Sequence, residues 1–258
     1  LQALAEQELT TGLAAARSRT PQEGAPPNVA AAGSVVAIDP QNGDLLAMAS
    51  FPTYEPADFV NGITATQFRE LTSEDNFSPI LNRAIQGTYA PGSTFKLITA
   101  LAALQEGVLG DAGLRRPTDL YLDTGTYTYS NCFEESSTCL FSSPYTGGGR
   151  QVDLPASLRV SSDTYFYEIA GEGFWTRSSA PDEDGLRPDE GIQLWARQLG
   201  LGSDSGLQVP YERSGAVPDR DYYDRQFDAG VFAVDGSQWF AGATTVSYTH
   251  LTLPTKNE

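Results

Sequence analysis

The sequence predicts an α+β fold, and three observations carry that prediction. An alanine-rich amphipathic stretch opens the chain, two apolar runs flank an Asn-Gly step, and a long apolar helix begins at Pro91-Gly92-Ser93. Leu1, Leu4, Ala5, Leu9, Leu13 and Ala14 recur near helical spacing, so residues 1–17 are read as an amphipathic helix. Pro21, Pro26 and Pro27 make residues 18–32 a loop. The runs 34–38 and 45–50 surround DPQNGD and predict two antiparallel strands, because Asn42 and Gly43 both tolerate positive φ. Residues 51–90 are broken by prolines, with a short helix near 65–71. The strongest helix runs over 93–106 and is closed by Gly107. Loop and short strand fill 111–149. Residues 154–170 read as helix with a break at the serines. From 171 to 226 the chain is acidic and rich in Gly and Pro, with a helix only at 191–199. No internal repeat is evident.

Composition narrows the chemistry. The 258 residues suffice for one large domain or two small ones. Asp plus Glu number 33 against 16 Lys plus Arg, a formal charge of −17, which argues against gripping phosphate backbones, so no nucleic-acid partner is expected. Apolar residues at 40% place the segment among globular chains. The one histidine is His250 near the end, which excludes a triad or metal site built on several histidines. Cys132 and Cys139 flank FEESST; two cysteines are too few for zinc, and a local disulfide or two free thiols both stay open. No charged-then-apolar leader is visible, and no apolar run approaches the roughly 18 to 20 residues that span a bilayer.

The last residues stand apart. VSYTHLTLPTKNE at 246–258 reads as the translation of a transposon-end sequencing adapter, a non-native tail behind an evolved segment 1–245. The alternative is an ordinary β-prone tail, since its residues alternate reasonably well.

Lysine occurs only at Lys96 and Lys256; every other basic residue is arginine. Lys96 lies three residues after Ser93 in YAPGSTFKLITALAAL, which puts both side chains on one face of a helix. A serine hydroxyl is a poor nucleophile until a base takes its proton. Lysine can serve once burial or neighbours lower its proton affinity, and arginine cannot. The start of the helix also offers the Ser93 N–H to a developing oxyanion. The plain alternative is a solvated lysine on an ordinary helix. A second cluster, Val160-Ser161-Ser162-Asp163-Thr164-Tyr165-Phe166-Tyr167, reads by itself as a helix break lined with small polar residues.

Taken together, S-x-x-K followed by S-x-D resembles the motif set of penicillin-binding proteins and serine β-lactamases. GSVVAIDPQNGDLLAMASFPTYEPADFVNGI, LNRAIQGTYAPGSTFKLITALAALQEGVLG and RVSSDTYFYEIAGEGF extend the resemblance to class B penicillin-binding proteins of the elongation type, the penicillin-binding protein 2 family. The likeness covers about residues 1–245. It implies the penicillin-binding transpeptidase or serine β-lactamase-like α+β fold, an antiparallel sheet flanked by helices plus a helical subdomain. It implies that Ser93 attacks the penultimate D-Ala carbonyl of a peptidoglycan stem peptide and that Lys96 takes the hydroxyl proton. Ser161 passes a proton to the departing D-Ala, and an amine of a neighbouring stem peptide resolves the acyl-enzyme. β-Lactams are expected to be trapped at Ser93. No cofactor is implied. The implied location is the extracytoplasmic face of the cytoplasmic membrane, with a membrane wall polymerase as a further partner. A serine β-lactamase, a β-lactam sensor or an inert scaffold are the alternatives.

Two departures from the family pattern matter. Asp163 stands where most relatives carry Asn, though elongation-type members often have Asp. An ionised carboxylate beside Lys96 favours the ammonium and works against a neutral base, unless the pair shares a proton or Asp163 bonds elsewhere. The sequence also holds no K-T-G, the motif that in the family supplies a second oxyanion N–H and carboxylate recognition. The chain is therefore read as a domain cut short at both ends, its C-terminal strands missing, and as poorly folded and essentially inactive when expressed as written.

Overall fold

The computed structural model describes residues 1–20, 27–60, 62–128, 140–143 and 147–231. Cys132, Cys139 and the tail at 246–258 lie outside them. The chain divides into two compact units, Leu1–Thr88 with Gly206–Arg213, and Tyr89–Ser205 with Ser214–Glu258.

In the first unit, helix α1 (Gln2–Ser18) packs on a two-stranded antiparallel sheet of β1 (Gly33–Ile38) and β2 (Leu45–Phe51). Val36 stands opposite Met48, and Ala47 and Ala49 are buried. The Gln2 side-chain amide takes Met48 at both backbone groups, accepting from its N–H at 2.9 Å and donating to its carbonyl at 2.7 Å. It occupies the edge of β2 as a neighbouring strand would, which blunts an otherwise open template for pairing. The hairpin is present, but its loop differs from the expected two-residue turn. Asn42 does not adopt positive φ; only Gly43 does, at +81°. Asp39 accepts from the Gln41 N–H at 2.9 Å, and Asn42 Oδ1 accepts from the Asp44 N–H at 2.9 Å. These side-chain turns widen the loop before the tight form can close.

Helix α2 (Ala57–Val60) is a single turn. Helix α3 (Ala65–Thr72) starts on a capping box in which Thr64 and Gln67 satisfy each other's backbone N–H. Helix α4 (Arg83–Gln86) is capped by Asn82 and seats the buried Arg83. That guanidinium donates to the carbonyls of Phe77, Ser78 and Leu81, so the charge is not left unpaired in the interior.

The second unit is organised around α5 (Lys96–Gln105). The expected helix over 93–106 begins instead with a 3₁₀ turn at Gly92–Phe95, because the Thr94 hydroxyl donates to the Pro91 carbonyl at 2.6 Å and competes for the acceptor an α-turn would use. Gly107 closes the helix at φ +68°, a conformation that costs a side-chain-bearing residue about 1–2 kcal/mol. Short strands follow: β3 (Tyr121–Asp123), β4 (Thr126–Thr128), β5 (Leu140–Ser142) and β6 (Arg150–Val152), with β3 paired to β6 and β4 to β5. Helix α6 (Leu154–Arg159) is capped by Asp153, and α7 (Asp163–Glu168) by Ser162, with the break falling at the serines as expected. A π-helical segment, Ile169–Phe174, continues α7.

Helix α8 (Gly191–Gln198) lies where the sequence predicts it, but α9 (Arg220–Asp228) does not appear in that reading. Its sequence, RDYYDRQFD, carries too few aliphatic residues to show a helical stripe. Tertiary contacts supply what the pattern lacks: Arg220 reaches the fully buried Asp189 at 2.6 Å and stacks on Trp175 at 4.3 Å, while Tyr223 is buried. The core joins Ala102 and Ala103 of α5 to Phe166, Ile169, Ala170, Phe174, Ile192 and Ala196.

Candidate active site

All four residues singled out by the sequence lie in the second unit. Ser93 sits exposed on the 3₁₀ turn ahead of α5, and Lys96 begins the α-helical part, 1% exposed. The Lys96 backbone N–H donates to the Ser93 carbonyl, closing the turn between the two residues. Among the described residues, the Ser93 hydroxyl makes no hydrogen bond.

Lys96 Nζ spends all three donors on the second cluster. It donates to the Ser161 carbonyl at 2.9 Å, to Ser161 Oγ at 3.0 Å and to Asp163 Oδ1. The Phe166 ring lies 5.9 Å from the amine and closes its inner side. The Asp163 carboxylate bonds the Lys96 amine directly, and the two form a buried ion pair.

The backbone delivers this contact through an unfavourable conformation. Ser161 has φ +53°, in the left-handed region that costs a non-glycine residue of order 1 kcal/mol or more. There the Ser161 carbonyl and hydroxyl both face Lys96, which a continuous helix from α6 into α7 could not arrange, since its carbonyl would be tied into the ladder.

A layer of residues the sequence reading did not identify lies behind the cluster. Asp123, at the end of β3, is fully buried. Its Oδ1 accepts from Thr164 Oγ1 at 2.7 Å and the Gly125 N–H at 3.0 Å. Its Oδ2 accepts from Ser162 Oγ at 2.8 Å and Arg150 Nε at 2.9 Å. Burial alone would raise the Asp123 pKa, but the hydroxyls of Thr164 and Ser162, with Arg150 and the Gly125 N–H, outweigh it and hold the carboxyl below its ordinary value. Ser162 and Thr164 were visible as small polar residues alternating with the two functional ones. Asp123 and Arg150 carry no local signal, because they meet the cluster only through the pairing of β3 with β6.

Among the described residues, no group of three or more His, Cys, Asp and Glu is placed to hold a metal ion. No described helix is long and apolar enough to cross a membrane.

The family description "Penicillin binding protein transpeptidase domain" matches residues 33–251. The chain belongs to the penicillin-binding transpeptidase family. The Escherichia coli (strain K12) peptidoglycan D,D-transpeptidase MrdA is 30% identical over 211 residues, 82% of this chain and 28% of that protein. The Mycolicibacterium smegmatis peptidoglycan D,D-transpeptidase PbpA is 39% identical over 139 residues, 53% of this chain and 26% of that protein. The chain therefore spans little more than a quarter of the length of the curated transpeptidases it matches. Among solved structures, Pseudomonas aeruginosa PBP2 in complex with WCK 5153 matches with a TM-score of 0.64 and 28% identity, over 94% of this chain and 45% of that one. Helicobacter pylori PBP2 matches with a TM-score of 0.62 and 25% identity, over 83% and 35%. The penicillin-binding α+β fold expected from the sequence is the fold these neighbours share, and the likeness to penicillin-binding protein 2 holds.

Proposed function

We propose that this chain is the acyl-transfer part of a peptidoglycan D,D-transpeptidase. The observation that carries the reading is a buried amine, hydrogen-bonded to Ser161 and paired with Asp163, one turn after an exposed serine at a helix start. Ser93 Oγ attacks the carbonyl of the penultimate D-Ala, forming an ester and releasing the terminal D-Ala. The hydroxyl proton passes to Lys96, whose own proton Asp163 can accept, and Ser161 relays a proton to the departing amine. An amine from a neighbouring stem peptide then attacks the ester, forms the new peptide bond and returns the proton to Ser93. Lysine fits the role because it can exist neutral in a dry site, and arginine cannot.

β-Lactams enter the same reaction as acyl donors whose leaving group stays attached. The reading puts the enzyme at the extracytoplasmic face of the cytoplasmic membrane, where stem peptides are, with a membrane wall polymerase as a proposed partner. The N–H of Ser93 is one oxyanion donor. The second belongs, by the family resemblance, to a K-T-G strand, and no such triplet occurs in this sequence. The chain as written is therefore expected to acylate about 10²- to 10³-fold more slowly than a version of the gene product in which that strand is present.

The test is mass spectrometry of the full-length gene product after exposure to benzylpenicillin. The expected result is one covalent adduct, mapped to Ser93, absent in Ser93→Ala. In Lys96→Arg the adduct should form on the order of 10³-fold more slowly, since the charge is kept and the base is lost. No adduct on Ser93 in the unaltered protein would overturn the assignment.

A further inference from the structure

We infer that Asp123 is a positioning residue for this active site: its carboxylate holds Ser162 and Thr164 so that Ser161 and Asp163 face Lys96. The inference rests on the transpeptidase reading above and adds to it a residue from outside the two motifs.

Residues 161 to 164 enter α7 with side chains pointing two ways. Ser161 and Asp163 turn to Lys96 Nζ, whereas Ser162 and Thr164 turn to Asp123. The two hydroxyls take different oxygens of one carboxylate, at 2.8 Å and 2.7 Å, and so fix the rotation of the segment about its own axis. One bond would leave that rotation free.

Rotation matters because Ser161 is held at φ +53° with no glycine to relieve it. Released from Asp123, the segment would relax toward an ordinary helical turn, and the Ser161 carbonyl and hydroxyl would leave the amine. Asp123 itself is held from two sides. The Gly125 N–H donates to it at 3.0 Å, and Arg150, its cross-strand partner from β6, donates at 2.9 Å. Ser162 and Thr164 are fully buried, so water cannot replace the bonds if the acceptor is lost. An aspartate is required over an asparagine: an amide has one acceptor oxygen, and its NH₂ group would face the donors of Ser162 and Arg150.

The test separates positioning from folding by dividing acylation into its binding constant and its covalent rate. In the full-length gene product with benzylpenicillin, Thr164→Val keeps the volume and removes one of the two hydroxyls. It should slow the covalent step about tenfold or more, with the pre-covalent binding constant within about twofold of the parent. Thr164→Ser restores the hydroxyl and should return the rate to within about twofold. Asp123→Asn should slow the same step about 10²-fold. If Asp123→Asn fails to fold, the two Thr164 variants decide. Parent-like covalent rates in Thr164→Val, or a loss that Thr164→Ser does not repair, would overturn the inference. An unaltered protein that gives no adduct on Ser93 would overturn the transpeptidase reading instead.

Discussion

Lys96 shows how much one side chain can be asked to do. It is the largest charged group in the core of its unit, and its three donors are all met by Ser161 and Asp163. A buried ammonium without such partners would be strongly disfavoured. The contrast is Tyr165, whose hydroxyl is buried with no hydrogen-bond partner among the described residues. Burial pushes its pKa up to about 12. Its ring packs edge-on to Tyr121 at 5.6 Å and to Phe166 at 5.4 Å, contacts a phenylalanine would keep. Tyr165→Phe is therefore expected to leave stability unchanged or raise it by up to about 1 kcal/mol. A urea unfolding midpoint that rises or holds, at unchanged slope, is the expected outcome. At this scale Ser93 and Lys96 were legible, because a lone lysine one turn after a serine is a local pattern. Asp123 was not, since nothing near it in the chain marks it.

Elements divide by whether their ends or their faces define them. Helix α5 was readable because Pro91 and Gly107 bracket an apolar run, and both are local backbone signals. The break between α6 and α7 was readable for a similar reason, as serines favour caps over helix interiors. Helix α9 was not, because its partners Asp189 and Trp175 lie well upstream in the chain. The 3₁₀ start of α5 was also missed; it depends on one hydroxyl choosing a carbonyl. The weight carried by the C-terminal bracket can be measured. A Cβ at position 107 would meet no atom within 4 Å, so Gly107→Ala tests backbone conformation alone. The expected cost is about 1–2 kcal/mol, read as a lower urea midpoint.

For the molecule as a whole, charge is the dominant fact. At −17, repulsion among carboxylates works against compactness at neutral pH. Two acidic side chains in the second unit add to this. Burial raises the pKa of Glu168, partly offset by Arg115, and burial raises that of Glu190, partly offset by the Arg220 N–H and Arg187. A carboxyl raised in the folded state contributes stability that is fully present below its ordinary value of 4.5 and lost as pH rises through the folded value. Asp123 acts in the opposite sense. Its stabilisation is present above its ordinary value of 3.8 and is lost only as pH falls through its lowered folded value. Stability should therefore climb as pH is lowered from 7 toward about 5 and fall away below the ordinary Asp value. Urea titrations across that range check the prediction; a midpoint highest at pH 7 or above would contradict it.

The order of bases along the gene determined a good deal about this protein without help. Periodicity placed α1, the hairpin and α5, and two short motifs named Ser93, Lys96, Ser161 and Asp163. These are properties of neighbours in the chain, where spacing alone decides which side chains share a face. Tertiary structure decided the rest: that Lys96 is buried, that Asp163 pairs with it, and that Ser161 is held left-handed. It also decided that Asp123 and Arg150 stand behind the second motif. Each of these depends on groups distant in sequence brought together under exclusion of water, where an unmet donor or charge is costly enough to dictate the arrangement.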